Sequence, residues 1–271
     1  MSDFPAHLLM IGCGNMAGSM LDRWLACGLA AECVTVVDPM RQSVAPGVTL
    51  LRELPQSVPA GTTIVLGFKP QQLGQVGPQI AALWQPGVAL VSMLAGIPVA
   101  QLREVIAPQG DGVRIMPNTP VALGKGVVAL YADAGTSDAA RASVSALMAP
   151  LGLVEWFEAE EQFNLLTALS GCGPAFVFRF IDALAVAASE LGMEPERAGR
   201  LALATVEGSA ALAVSSSESP GVLADRVASP GGMTREGMDV MDADGRLNSL
   251  LLDVLRAARD RGEVLAQVAK N

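Results

Sequence analysis

The sequence predicts an α/β fold, a doubly wound parallel sheet followed by an all-helical region, and three observations lead there. Short apolar, often β-branched runs recur through the first half, most of them closing on a turn rich in Gly, Pro or Asp. Stretches with helical spacing of apolar residues separate them, the rhythm of βαβ units. Beyond Glu158 the β-branched runs nearly vanish and long Ala/Leu-rich patterns take over.

Taken in order, Leu8-Leu9-Met10-Ile11 is the first strand and ends in a glycine turn. From Ala17 to Leu29 the spacing is helical, with Met20, Leu21, Trp24 and Leu25 on one side. Val34 to Val37 is a strand ending at Asp38-Pro39, and Thr63 to Phe68 is another, ending at Lys69-Pro70. Val88 to Met93 precedes Gly96, and Arg114-Ile115-Met116 and Val127 to Leu130 read as later strands. Runs that are apolar without alternation belong to strands buried on both faces, hence a parallel sheet covered by helices. Such open sheets bind ligands at the carboxyl ends of their strands, where these turns lie.

The second half reads as helices over Glu160–Leu169, Pro174–Leu191, Glu196–Val214 and Asn248–Ala269, with a polar bend at Ser215–Ser219. The expected boundary falls near residue 160. A helix such as Phe176–Ala188, apolar nearly all round, has to be buried. In so short a helical region a subunit interface buries it more easily than a monomer core does.

Composition narrows the function. Of 271 residues, 51% are apolar and 17% charged, which excludes a disordered chain. A net charge of −9 without a basic run argues against nucleic acid and anionic membrane as partners. The single histidine, His7, leaves no material for a His base or a paired-His metal site, so no metal is expected. Cys13, Cys27, Cys33 and Cys172 lack C-x-x-C spacing and fit a reducing compartment. The first residues lack a basic leader, and the apolar stretches break at charges, Gly or Pro before the ~18 residues a membrane span needs. The expected location is the cytoplasm.

Gly12-Cys13-Gly14-Asn15-Met16-Ala17, directly after a strand and opening a helix, is the dinucleotide fingerprint G-x-G-x-x-A. The first glycine permits the tight turn, the second admits a pyrophosphate to the backbone, and the small third residue allows close helix–strand packing. Asp38 closes the second strand, where a carboxylate accepts the 2′-hydroxyl of an adenosine ribose and repels a 2′-phosphate. That leans toward NADH over NADPH, although Arg41 nearby can offset the repulsion and Asp-Pro is also an ordinary turn. A nicotinamide enzyme with no titrating His suits C=N better than C=O, because a protonated iminium already holds the proton and charge that attract hydride. The only tyrosine, Tyr131, has no lysine four residues on, so the tyrosine–lysine pair of many carbonyl reductases is missing.

Five stretches then resemble, in order, those of the pyrroline-5-carboxylate reductases. They are Gly12–Ala17, Phe68-Lys69-Pro70-Gln71, Arg114–Pro120, Leu169–Phe176 and the loop Ser229-Pro230-Gly231-Gly232-Met233-Thr234, which matches S-P-G-G-x-T. The resemblance spans essentially the whole chain. It implies reduction of Δ1-pyrroline-5-carboxylate to L-proline with NADPH or NADH. It also implies an N-terminal Rossmann-type domain (1–160), a helical dimerisation and substrate domain (161–271), and a homodimer that can assemble further. Carried over by motif, Ile11, Gly12, Cys13, Gly14, Asn15 and Met16 would hold the pyrophosphate and Asp38 the ribose. Phe68, Lys69, Pro70, Ala95, Gly96 and Asn118 would line the rest of the cofactor. Thr234 matches the threonine whose hydroxyl bonds the pyrroline nitrogen, and the backbone of Ser229, Gly231, Gly232 and Met233 would cradle the substrate carboxylate.

Each stretch also has a plainer reading. Ser-Pro-Gly-Gly is a turn, Asn118 in Met-Pro-Asn-Thr-Pro can simply bond its own loop, and Lys69 can be a solvated surface residue. Ser170 to Pro174 breaks one helix and starts the next, and Cys13 and Cys172 read as small packing residues. The chain departs from the family at Ala228, Met233, Gly67-Phe68 and Leu247. Three alternatives remain at this point. One is a reductase of another small cyclic imine, one a non-catalytic NAD(P)-binding dimer. The third is a 3-hydroxyacid-type dehydrogenase, which would want a lysine that 158–192 does not contain.

Overall fold

The structure is a computed structural model that describes residues 4–106 and 110–268, the last three as backbone only. The expected helix end at Ala269 lies outside the described residues. The chain divides into two compact units: residues up to Gly171 joined by those from Ala258 on, and Cys172–Ala257.

The first unit is built on an eight-stranded sheet. Its strands are β1 (His7–Ile11), β2 (Val34–Val37), β3 (Thr49–Leu51), β4 (Thr62–Leu66), β5 (Ala89–Ser92), β6 (Asp111–Pro117), β7 (Gly126–Tyr131) and β8 (Gly152–Trp156). They lie in the order β3-β2-β1-β4-β5-β6-β7-β8. Helices α1 (Asn15–Ala26), α2 (Leu73–Ala81), α3 (Val99–Val105) and α4 (Asp138–Met148) connect them. Alternation along β1 shows both faces covered. Leu8 and Met10 join Met20, Trp24, Val144 and Leu147 in one core, while Leu9 and Ile11 join Leu73, Ile80 and Leu102 in the other. Trp24 is fully buried, and its indole N–H donates to the Leu147 carbonyl at 2.7 Å.

The expectation of an all-parallel sheet needs one correction: β7 runs antiparallel to β6, pairing Arg114 with Tyr131 and Pro117 with Val128. The reason is the link between them, a 3-10 turn over Thr119–Leu123 closed by Gly124. A parallel return requires a crossover of a dozen residues or more. The edge strands β3 and β8 went unread because neither carries a continuous β-branched run.

The segment expected as one helix from Glu160 to Leu169 has three parts: a 3-10 turn (Glu160–Gln162), α5 (Phe163–Leu166) and a π turn (Thr167–Gly171). Two side chains turn back on the helix here. Thr167 Oγ1 donates to the Phe163 carbonyl at 2.6 Å and Ser170 Oγ to that of Leu166 at 3.2 Å, bonds that bend helices.

The second unit is helical. It holds α6 (Gly173–Glu190), α7 (Pro195–Ser215), α8 (Pro220–Val227) and α9 (Met233–Asp242), and α10 (Arg246–Val268) begins in it. Glu194 caps α7 by accepting the N–H groups of Glu196 and Arg197, both at 2.8 Å. Ser219 caps α8. Helices α8 and α9 extend the expected set, since Pro-Gly and Gly-Gly at their starts read as turns. The expectation that no apolar stretch reaches membrane-span length is also corrected. The continuous helical run Glu160–Glu190 is long and apolar enough by length and composition, because its polar residues are spread too thinly to interrupt it.

Candidate active site

The carboxyl ends of β1, β2 and β4 open onto a cleft of about 780 Å³. Ile11, Gly12, Cys13, Gly14, Asp38, Phe68 and Lys69 line it, together with Arg52, Gln72 and Gln75. Gly12 carries φ +82°, and a Cβ there would stand 2.5 Å from the Phe68 backbone nitrogen. No other residue type fits this turn without moving the β4 loop. Gly67 faces the same crossing, where an added Cβ would meet the Gly12 oxygen at 2.6 Å and the Ala17 Cβ at 3.0 Å. The small third position of the fingerprint therefore has a contact that explains it. Above Gly14 there is only open space. Gly14 is the N-cap of α1, with no side-chain cap and no acidic residue in the first turn. Free amides on a positive helix end, approachable because the residue before them is glycine, suit a pyrophosphate. The volume also suits a small-molecule cofactor.

Asp38 is tied into this frame from three sides. Its Oδ2 accepts the Cys13 N–H at 2.9 Å, and its Oδ1 accepts those of Met40 at 2.9 Å and Arg41 at 3.1 Å. Partial burial pushes its carboxyl up, but the three N–H bonds and the Arg41 guanidinium outweigh this and hold it below the usual carboxylate range. Arg41 donates to the carbonyls of Cys13 at 2.5 Å through Nη1 and of Ser43 at 3.0 Å through Nε. Arg52, just past β3, donates to the carbonyls of Asp38, Pro39 and Arg41. The Cys13 thiol lies in the core, where burial raises it above its ordinary value.

The remaining expected residues fall elsewhere. Asn15 and Met16 begin α1, Pro70 starts a 3-10 turn, and Ala95 and Gly96 follow β5, all outside the cleft lining. Asn118, at the end of β6, is buried with both polar atoms engaged. Oδ1 accepts the Val127 N–H at 2.8 Å, and Nδ2 donates to the Ser170 carbonyl at 3.0 Å. Among the described residues no group of three potential ligands could hold a metal.

In the helical unit, Ser229 to Thr234 forms a turn that opens α9. The Gly232 N–H donates to the Ser229 carbonyl at 2.9 Å, and Gly231 takes φ +69°. Gly232 is the N-cap of α9 and offers no side chain, so the first-turn amides stay uncapped. Thr234 sits at the second position of this helix and is exposed. Behind it Arg235 bonds Asp239 at 2.9 Å and Asp242 at 3.3 Å, and reaches Asp225 of α8 at 3.5 Å, which fixes the helix that carries the loop. A carboxylate facing these amides, with a hydroxyl beside it, is what such a turn can hold.

Known proteins place the chain. Residues 160–265 match the family model described as pyrroline-5-carboxylate reductase dimerisation, and residues 7–96 one described as NADP oxidoreductase coenzyme F420-dependent. The pyrroline-5-carboxylate reductase of Pseudomonas aeruginosa is 34% identical over 266 residues, 96% of this chain and 97% of that one. This chain belongs to the pyrroline-5-carboxylate reductase family. It is accordingly an oxidoreductase, with a Rossmann-type N-terminal half and the family's helical half. The structure of a pyrroline-5-carboxylate reductase from Coxiella burnetii superposes with a TM-score of 0.89 at 29% identity, covering 96% of this chain and 98% of that one. The fold is shared by a Plasmodium falciparum pyrroline carboxylate reductase solved with NADP bound, with a TM-score of 0.80, 22% identity and coverage of 98% and 99%.

Proposed function

We propose how this family member divides the work of reducing Δ1-pyrroline-5-carboxylate to L-proline. When bound, the reduced nicotinamide would supply the hydride that the cyclic iminium takes at C5. The turn Ile11 to Met16 and the first amides of α1 hold the pyrophosphate. Asp38 would take the adenosine ribose, and Phe68, Lys69, Pro70, Ala95 and Gly96 would line the rest of the cofactor. On the helical unit the turn Ser229–Met233 cradles the substrate carboxylate, with the Gly232 N–H closing the turn onto Ser229 and the amides of Ser229, Gly231 and Met233 left for the ligand, and the Thr234 hydroxyl bonds the ring nitrogen. The iminium brings its own proton, so the chain supplies orientation rather than a titrating acid. Supporting this reading above all is the uncapped start of α9, with Thr234 exposed on its first turn inside the family's S-P-G-G-x-T motif.

NADH is the proposed preferred cofactor. An ionised Asp38 repels a 2′-phosphate, and the Arg41 that would offset this already holds the Cys13 and Ser43 carbonyls with Nη1 and Nε. The proposed assembly is a homodimer through residues 161–271, with an N-terminal cofactor domain over 1–160, a cytoplasmic location and no nucleic-acid or membrane partner. A dimer gives the apolar run Glu160–Glu190 a place away from water without a membrane. The test is oxidation of NADH and NADPH, side by side, by the purified protein with pyrroline-5-carboxylate. Turnover with either establishes the reaction, and faster turnover with NADH supports the cofactor assignment. Binding of both cofactors without turnover overturns the substrate.

A further inference from the structure

Asn118 stands where an asparagine ordinarily caps a helix, since the 3-10 turn Thr119–Leu123 begins immediately after it. It makes no such cap. Its amide is spent across the fold, on the Val127 N–H of β7 and on the carbonyl of Ser170, 52 residues further along the chain. Ser170 lies in the π turn Thr167–Gly171, and the chain passes from one compact unit to the other right after it, between Gly171 and Cys172. A π turn lacks the ordinary i→i−4 ladder and is frequent at functional sites. Here its carbonyl at Ser170 is satisfied from outside, by a buried side chain on the ligand-binding edge of the sheet.

The other end of this segment is fastened too. Glu160 Oε1 accepts the Val99 N–H at the start of α3 at 3.0 Å and the Arg114 guanidinium at 2.9 Å. Arg114 in turn lies 4.6 Å over the Phe163 ring. Residues 160–171 are thus pinned at one end to the β5–α3 connection and β6, and at the other to the end of β6. The β5–α3 connection holds Ala95 and Gly96, and the helix after Gly171 leads to the unit that carries Thr234.

We infer that Asn118 is a positioning residue for the reduction. It does not touch cofactor or substrate through its side chain; it fixes the backbone of the π turn from which the substrate-bearing helical unit departs. This rests on the function proposed above. The step it serves is sensitive to placement, since a displacement of about 1 Å at a reacting pair lowers the rate by up to about 100-fold.

The experiment is Asn118→Asp, which keeps an oxygen for the Val127 N–H and removes the donor to Ser170. Cofactor affinity is read by NAD(P)H fluorescence, kcat beside wild type, and the turn by amide hydrogen exchange over 167–172. The expected result is cofactor Kd unchanged within about twofold, kcat lowered about 10- to 100-fold, and faster exchange in the turn. Lowering the pH to protonate the introduced carboxylate restores an O–H donor to the Ser170 carbonyl and with it part of kcat relative to wild type. Gly171→Ala disturbs the same turn without touching Asn118, because its Cβ would press on Thr167 Cγ2 at 3.2 Å, and it is expected to give the same pattern. Wild-type kcat in both variants, or a cofactor Kd weakened with kcat retained, overturns the inference. A wild type that turns nothing over defeats the proposed reaction instead, and unchanged exchange at 167–172 in Asn118→Asp then overturns the clamp independently.

Discussion

The two units bury their apolar residues very differently. The sheet unit closes two cores, one on each face, and Met10, Trp24, Ile64 and Leu66 have essentially no contact with water. In Cys172–Ala257 only Ala198, Ala202 and Ala228 are buried, all of them small. Helix α6 buries none of its residues and exposes Val177, Phe178, Phe180, Leu184 and Val186. A domain that leaves so much apolar surface in water has not completed its core. The sheet unit has the interior of a self-sufficient domain, whereas the helical unit has half of one, which is what the proposed homodimer would complete.

The comparison breaks most severely with a charge in the exposed stripe of α6. Phe178→Asp should turn the proposed dimer into monomer, because an unpaired carboxylate cannot be desolvated there. The expected weakening of self-association is about 100-fold or more, read by light scattering against concentration, with the sheet unit's cofactor binding preserved. A variant that remains dimeric at the same concentration would place the interface on another face.

The same contrast explains what was legible in the sequence. The turn Gly12–Ala17 and the strands around it follow from local pattern, because a buried parallel strand advertises itself by an unbroken apolar run. The reversal at β7 was missed, although the link between the two runs is too short for a crossover and was the signal available. Edge strands β3 and β8 were not legible, since half-exposed strands lose that run. With β3 went Arg52, which lines the cleft proposed for the cofactor; a basic residue just past a third strand was the signal available. Asn118 is the harder case. Its motif was visible, but its partner at Ser170 is set by tertiary packing and leaves no mark in local spacing.

On the helical unit, the single group expected to matter most to the chemistry is the Thr234 hydroxyl. Thr234→Ala should lower kcat/KM by about 10- to 100-fold, the effect of losing one polarising hydrogen bond. Cofactor binding and dimer mass should not move, as the residue is exposed on the first turn of α9. Unchanged kcat/KM would remove Thr234 from the mechanism.

On the sheet unit the matching group is Asp38, and its effects are smaller. Asp38→Ser removes the charge that disfavours a 2′-phosphate, so the NADPH-to-NADH ratio of kcat/KM should rise by about tenfold, near 1.4 kcal/mol. A fixed ratio would reduce Asp38 to a turn residue.

The slightest expected effect is on stability, and its sign follows from the lowered carboxyl of Asp38. A group whose folded pKa is depressed contributes stability that is present above its unfolded pKa, about 3.9, and is lost as pH falls through the lower folded value. Wild type should therefore exceed Asp38→Asn in denaturant midpoint at pH 7, with the gap closing below about pH 4 as the carboxylate takes up its proton. The three N–H donors of Cys13, Met40 and Arg41 are what the charge satisfies, and an amide oxygen satisfies them less well. A gap that stays constant from pH 7 to pH 3 would mean that the turn is held by its shape and by Arg52, with the charge of Asp38 reserved for the cofactor.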